Sequence, residues 1–347
     1  MMKLDNVTKV FRTGSFGGGS LPAVRAASFE IRPGEVTALI GESGSGKSTL
    51  GKMILRLTPV TSGTITFEGT DVGTLKGKGL REYYRHVQGV FQDPFSSYNP
   101  VFRADRVFAT IKRSYFPKVT SAQWGERVEA TLESVGLNPA DVLDKFTHQL
   151  SGGQLQRILI ARALLLDIKV LVADEIISML DASTRVDVLN LLSNLKGRGL
   201  GVLFITHDLS LGNYIAERTI ILRRGVIVEM GATAKVFDNP QHAYTKMLLT
   251  SVPQLHKKWQ PALPAPEQDE MSGTQKDGAH SGRYSKSGLH PLAGHHKRSW
   301  RGSSVAEAEH QETEREDRTD TYLRMHEEVP LLVEVEEDHF VATTAGS

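Results

Sequence analysis

Apolar and polar positions alternate along the first two-thirds of the chain in two rhythms. Val36–Ile40 (VTALI) is an unbroken apolar run, which reads as a strand buried on both faces. Residues 64–67, 87–91, 170–173 (VLVA) and 202–206 (VLFIT) read as further strands. The opening MMKLDNVTKVF reads as a first strand. Between these runs the spacing is helical. Strands alternating with helices predict an α/β sheet with mostly parallel central strands, and the segment before Val36 is expected to add an antiparallel part.

The rhythm changes twice. Between about residues 93 and 150 strand-like runs vanish, and 103–115 and 122–135 have helical spacing, which predicts a helical insertion in the α/β core. From 256 to about 316 the chain is rich in Gly, Ser, His, Gln and charge, a composition that predicts a mobile segment without a packed core. Residues 330–341 (PLLVEVEEDHFV) regain a strand-like alternation. No internal repeat is evident.

Composition narrows the classes. The 347 residues allow one large or two modest domains. A formal net charge of +1 argues against a dedicated nucleic-acid binder. The chain has no cysteine, which excludes disulfides, cysteine zinc sites and cysteine-held iron–sulfur clusters. It lacks the run of about 18 apolar residues that a membrane span needs. Its first residues are too polar for a signal peptide. A cytosolic location is the expectation.

Three motifs carry chemistry. GESGSGKST at 41–49 fits G-x-x-x-x-G-K-[ST] through Gly41, Gly46, Lys47 and Ser48. Such glycines let backbone N–H groups turn inward around phosphate oxygens. A helix starting near Gly46 aims its positive end at the same phosphates. Lys47 is expected to reach the β/γ-phosphates, and Ser48 to hold Mg²⁺. The bland alternative is a Gly-rich turn, but this one follows a buried strand and opens a helical run.

The second motif is the apolar run VLVA ending in Asp174 and Glu175. A strand ending there places Asp174 beside the phosphate loop, within reach of the metal, and Glu175 where it can activate water. Strands often end in carboxylates, so alone the pair says little. The third is LSGGQLQR at 150–157. A Ser-Gly-Gly turn at a helix start is a second anion site, although a simple N-cap by Ser151 is a common use of serine. One ATP has no need of two such sites in one chain.

In this order and spacing the motifs resemble the ATP-binding cassette (ABC) ATPases, over about residues 1–255, the SGGQ stretch being the most specific. The resemblance implies a P-loop NTPase fold with a helical subdomain at about 93–157, followed by a largely disordered extension at 256–347 with a short ordered segment near 330–341. It implies ATP contacts from Phe11 (stacking on adenine), Gly41, Glu42, Ser43, Gly44, Ser45, Gly46, Lys47, Ser48 and Thr49. Ser151, Gly152, Gly153, Gln154 and Asp181 would contribute from a second, head-to-tail cassette. Ser48, Gln92 and Asp174 would hold Mg²⁺, with Glu175, His207 and Gln92 as catalytic residues.

A narrower likeness follows. FQDPFSSYNP at 91–100 and NPQHAYTKMLLTSVP at 239–253 are similar to the ATPase subunits of oligopeptide/dipeptide importers. That implies two membrane permeases, an external solute-binding protein, and a place at the cytoplasmic face of the membrane. This group commonly holds an iron–sulfur cluster on cysteines of the extension. Here Thr343 or Thr344 stands near the usual cysteine, so the extension is expected to persist without its cluster. Ile176 replaces the group's usual Pro after Asp-Glu; an apolar residue is still expected to pack there. His290, His295 and His296 are too irregularly spaced for a metal site. Other classes are a soluble ABC ATPase acting on DNA or ribosomes, and an exporter ATPase. The first would bring coiled coils, zinc cysteines or a second cassette, and the second is often fused to membrane spans.

Overall fold

The computed structural model describes residues 1–12, 19–251 and 329–343. The chain opens with strands β1 (Met2–Arg12), β2 (Ser20–Ile31) and β3 (Val36–Ile40). Helix α1 (Lys47–Ile54) leads to β4 (Ser62–Phe67), β5 (Thr70–Asp71), α2 (Gly77–His86) and β6 (Val87–Val90). A helical stretch follows: α3 (Arg106–Tyr115), α4 (Ser121–Ser134), α5 (Pro139–Val142) and α6 (Gly152–Leu164). Then come β7 (Val170–Asp174), α7 (Ala182–Gly197), β8 (Gly201–Thr206), α8 (Leu209–Ile215), β9 (Arg218–Arg223) and β10 (Val226–Ala232). Helices α9 (Thr233–Asp238) and α10 (Ala243–Thr250) close that part, and β11 (Leu331–Glu336) and β12 (His339–Thr343) form a terminal hairpin.

The main sheet has eight strands in the order β11-β12-β10-β9-β3-β8-β7-β6. Its core is parallel, with β3 between β8 and β9 and β7 between β8 and β6. All five residues of β3 and of β7 are buried, as a doubly covered parallel sheet requires. The two-residue period of each strand sorts its side chains between layers. Leu171, Ala173, Val202 and Phe204 pack with the helices of 106–195. Val170, Val172, Leu203 and Ile205 pack with α1 and a second, antiparallel sheet of order β2-β1-β4-β5.

The strands and helices expected from the pattern are present, with ends shifted by up to three residues. Two expectations change. The alternation at 330–341 is a hairpin rather than one strand, because Asp338 turns the chain with φ 56°. That hairpin also belongs to the main sheet, β12 pairing with β10 through Glu229↔Val341 and Gly231↔His339. A boundary at residue 255 therefore separates segments that share one sheet. Residues 256–316, including the histidines at 290, 295 and 296, and Thr344 lie outside the described residues.

Candidate functional site

The carboxyl ends of β3, β6, β7 and β8 deliver residues 41–49, Gln92, Asp174–Glu175 and His207 to one side of the sheet, where open α/β sheets bind ligands. There a cleft of about 660 Å³ is lined by Phe11, Leu21, Ala23, Ser43, Gly44, Gly46, Lys47, Ser48, Thr49, Gln92, Glu175 and His207.

The loop at 41–49 threads a confined path. A Cβ on Gly41 would stand 2.1 Å from the Leu222 carbonyl oxygen. Gly46 has φ 107°, and a Cβ there would stand 2.3 Å from the Ala23 carbonyl oxygen. Larger residues would force the backbone away from the cleft. Gly46 caps α1, so the helix's free N–H groups face the cleft from its floor. Lys47 is 4% exposed and donates to the Gly41 and Glu42 carbonyls at 2.7 Å each. Burial lowers its pKa, against the pull of Glu175, Asp174 and Glu42. Ser48 Oγ donates to Asp174 Oδ1 at 3.2 Å. Burial raises the Asp174 pKa, opposed by that hydrogen bond. Ser45 is also buried, its hydroxyl without a hydrogen-bond partner.

Glu175 takes a left-handed backbone, φ 51°, and donates its N–H to Ile205 O at 3.0 Å. This turns its side chain from the strand into the cleft, 3.2 Å from His207 Nδ1. Ile176 is 1% exposed and packs in the helical-side core. Gln92 is exposed at the end of β6.

Ser151, Gly152, Gly153, Gln154 and Asp181 do not line this cleft. They form a second group. Ser151 caps α6, accepting from Gln154 N while the Gln154 side chain accepts from Ser151 N. Asp181 caps α7, accepting from Ser183 Oγ at 2.6 Å, Thr184 N at 3.0 Å and Thr184 Oγ1 at 2.8 Å. The Ser183 contact and the two Thr184 contacts hold this exposed carboxyl well below the usual carboxylate range. The two turns abut, since a Cβ on Gly153 would meet Thr184 Cγ2 at 2.8 Å.

Sequence reasoning passed over Leu21 and Ala23. Leu21 lies opposite Phe11 in the β1–β2 register, so an aromatic at the rim brings its cross-strand neighbour with it. Tyr244 was also missed. Its hydroxyl accepts from Glu42 N at 3.3 Å, a contact with no local signal.

A family model described as ABC transporter matches residues 24–178. Another, described as the C-terminal region of oligopeptide/dipeptide transporters, matches 228–280. The oligopeptide transport ATP-binding protein OppF of Streptococcus mutans is 38% identical over 287 residues, 80% of this chain and 90% of that protein. The dipeptide transport ATP-binding protein DppF of Lactococcus lactis is 42% identical over 256 residues, 73% of this chain and 81% of that protein. Among solved structures, a dimeric ATP-binding cassette in a post-hydrolysis state with ADP and Pi superposes with a TM-score of 0.61 at 28% identity. It covers 67% of this chain and 99% of its own.

Proposed function

This chain belongs to the ABC transporter family of ATP-binding ATPases, and on that premise we propose that it powers the uptake of peptides through a partner membrane permease. The relatives named for oligopeptide and dipeptide transport, and the match at 228–280, support the peptide class. The observation that carries the mechanism is the division of the site residues. Lys47, Ser48, Asp174, Glu175, Gln92 and His207 gather at one cleft, while the turn at 151–153 and Asp181 lie apart from it.

ATP phosphates are the natural occupant of the loop at 43–49. Its N–H groups would donate to them, and Lys47 would exchange two carbonyl contacts for phosphate oxygens. Phe11, 38% exposed at the rim, offers a face for adenine. The oxygen set of Ser48, Asp174 and Gln92 suits a hard divalent cation, and Ser48 and Asp174 already share a hydrogen bond. Bound there, Mg²⁺ would neutralise charge on the phosphates. Glu175, in contact with His207, would take a proton from the attacking water. The turn at 151–153, exposed at Ser151, would close over the ATP of a second cassette, so that ATP joins two chains and hydrolysis parts them. The dimeric solved cassette supports that assembly.

The chain would act at the cytoplasmic face of the membrane with two permease subunits and an external solute-binding protein. No helix among the described residues is long and apolar enough to cross a membrane. Exposed Phe95, Val101 and Phe102, next to Gln92, offer the permease an apolar landing surface. Glu175→Gln is expected to trap an ATP-bound dimer, seen by light scattering, while hydrolysis nearly stops. Undiminished turnover would contradict the base assignment. Loss of labelled oligopeptide uptake when the gene is deleted tests the substrate class.

A further inference from the structure

The structure links the far C-terminus to the phosphate loop through a chain of direct contacts. Glu229 of β10 is fully buried, 0% exposed. Its Oε1 accepts from Gln241 N at 2.8 Å and its Oε2 from His242 N at 3.1 Å, fixing the residues that start α10. His242 caps that helix, its Nδ1 accepting from Tyr244 N at 3.1 Å. Burial lowers the His242 pKa, which favours the neutral ring that an acceptor Nδ1 requires. Tyr244 is 3% exposed, lies beneath the Arg223 guanidinium at 5.0 Å, and places its hydroxyl 3.3 Å from Glu42 N.

The other end of the chain of contacts is the terminal hairpin. His339 of β12 is 0% exposed, and its Nε2 lies 2.8 Å from Glu229 Oε1. Its Nδ1 lies 3.0 Å from Glu336 Oε1. Asp338 pairs with Arg218, and Lys235 donates to the Glu337 carbonyl, which clamps the hairpin turn onto the cassette.

Glu42 sits just before the stretch that lines the cleft. Holding its N–H therefore does not compete with a phosphate. Lys47 grips the carbonyls on either side of that N–H, those of Gly41 and Glu42. When Lys47 turns to a nucleotide, Tyr244 remains to hold the loop.

We propose that Tyr244 is a positioning residue for the phosphate loop, and that the C-terminal hairpin sets it through the buried carboxylate of Glu229. The proposal rests on residues 41–49 being the phosphate loop. The hairpin is then part of the nucleotide site's support rather than a passive appendage.

The test uses the full chain and Mg²⁺ with AMP-PNP, titrated by calorimetry. Tyr244→Phe keeps the ring and removes the acceptor. It is expected to weaken AMP-PNP by about 3–10-fold, the worth of one hydrogen bond. The KM for ATP should rise by the same factor, with kcat within about twofold. His339→Gln is expected to weaken AMP-PNP by about 2–5-fold, and to add nothing once Tyr244 is Phe, because one route carries both effects. Hydrogen exchange of the peptide covering 41–49 should quicken in His339→Gln. Unchanged affinity in Tyr244→Phe, additive effects in the double variant, or unchanged exchange at 41–49 would each overturn the proposal. Lys47→Ala separates the levels. If it binds AMP-PNP normally, the phosphate-loop reading itself fails; if it loses binding while Tyr244→Phe does not, the support role alone falls.

Discussion

The cleft and the turn at 151–153, the two parts of the proposed nucleotide site that one chain carries, are built in opposite ways. In the cleft, Lys47 and Asp174 carry charges that burial disfavours: the lysine pKa is lowered and the aspartate pKa raised. At the turn around Ser151 and at Asp181 the polar groups are exposed and locally satisfied. Ser151 and Gln154 cap each other, and Asp181 gathers donors from Ser183 and Thr184. The cleft thus holds electrostatic tension that phosphates and a cation would relieve. The turn's polar groups already hold one another, which would lower the ordering cost of docking onto a second chain. On the proposed reading, one half is built for a ligand and the other for a partner.

Four experiments would break or sharpen this contrast. The largest effect is expected from Gly152→Glu. A Cβ there meets only Phe95, at 3.8 Å, so the fold should hold. The new carboxylate would repel the partner's phosphates, and turnover should fall on the order of 100-fold, the worth of a lost anion-stabilising contact. AMP-PNP binding to the single chain should stay within about threefold. Full turnover in this variant would remove the turn from the site. Next comes Lys47→Ala, expected to cost about 10–100-fold in ATP affinity, as for hydrogen bonds to a charged group. Calorimetry measures it, and retained affinity would sink the cleft assignment.

Asp174→Asn tests the tension directly. The folded pKa of Asp174 is raised, so the folded state favours the proton, and this group's contribution to stability falls as pH rises above its unfolded value. At pH 7 the charge is a net cost. The asparagine variant should melt higher by about 2–4 °C per kcal/mol relieved while hydrolysis drops. A lower melting point would mean that Asp174 is stabilising where it stands. The smallest effect concerns His242, beside Glu229 and Arg223. Its folded pKa is depressed, so its contribution is complete above the unfolded value of about 6.5 and is lost as pH falls below it. Urea titrations at pH 7.5 and 5.5 should show less of this loss in His242→Asn, which caps without titrating. An identical pH dependence in both proteins would take His242 out of the cleft's support.

Much of the architecture was readable residue by residue. The unbroken runs at 36–40 and 170–174 are buried strands because both faces of a parallel sheet are covered. Gly46 and Ser151 mark helix starts because their local chemistry suits an N-terminus. Ile176 kept its buried place because apolar burial is non-directional and needs no proline.

The sequence by itself determined the α/β class, the loop at 41–49, the cap of α6, and which residue types could meet phosphate and metal. Those features follow from local periodicity and backbone conformation, which neighbouring residues dictate. The tertiary structure alone decided that Leu21 joins the cleft and that the terminal hairpin extends the main sheet. It alone brought His339 to Glu229 across a separation of 110 residues, and Tyr244 to Glu42 across 202. Such contacts leave no periodic trace. A buried carboxylate must find donors wherever the packing supplies them, and the chain's own order says nothing of which distant residue that is.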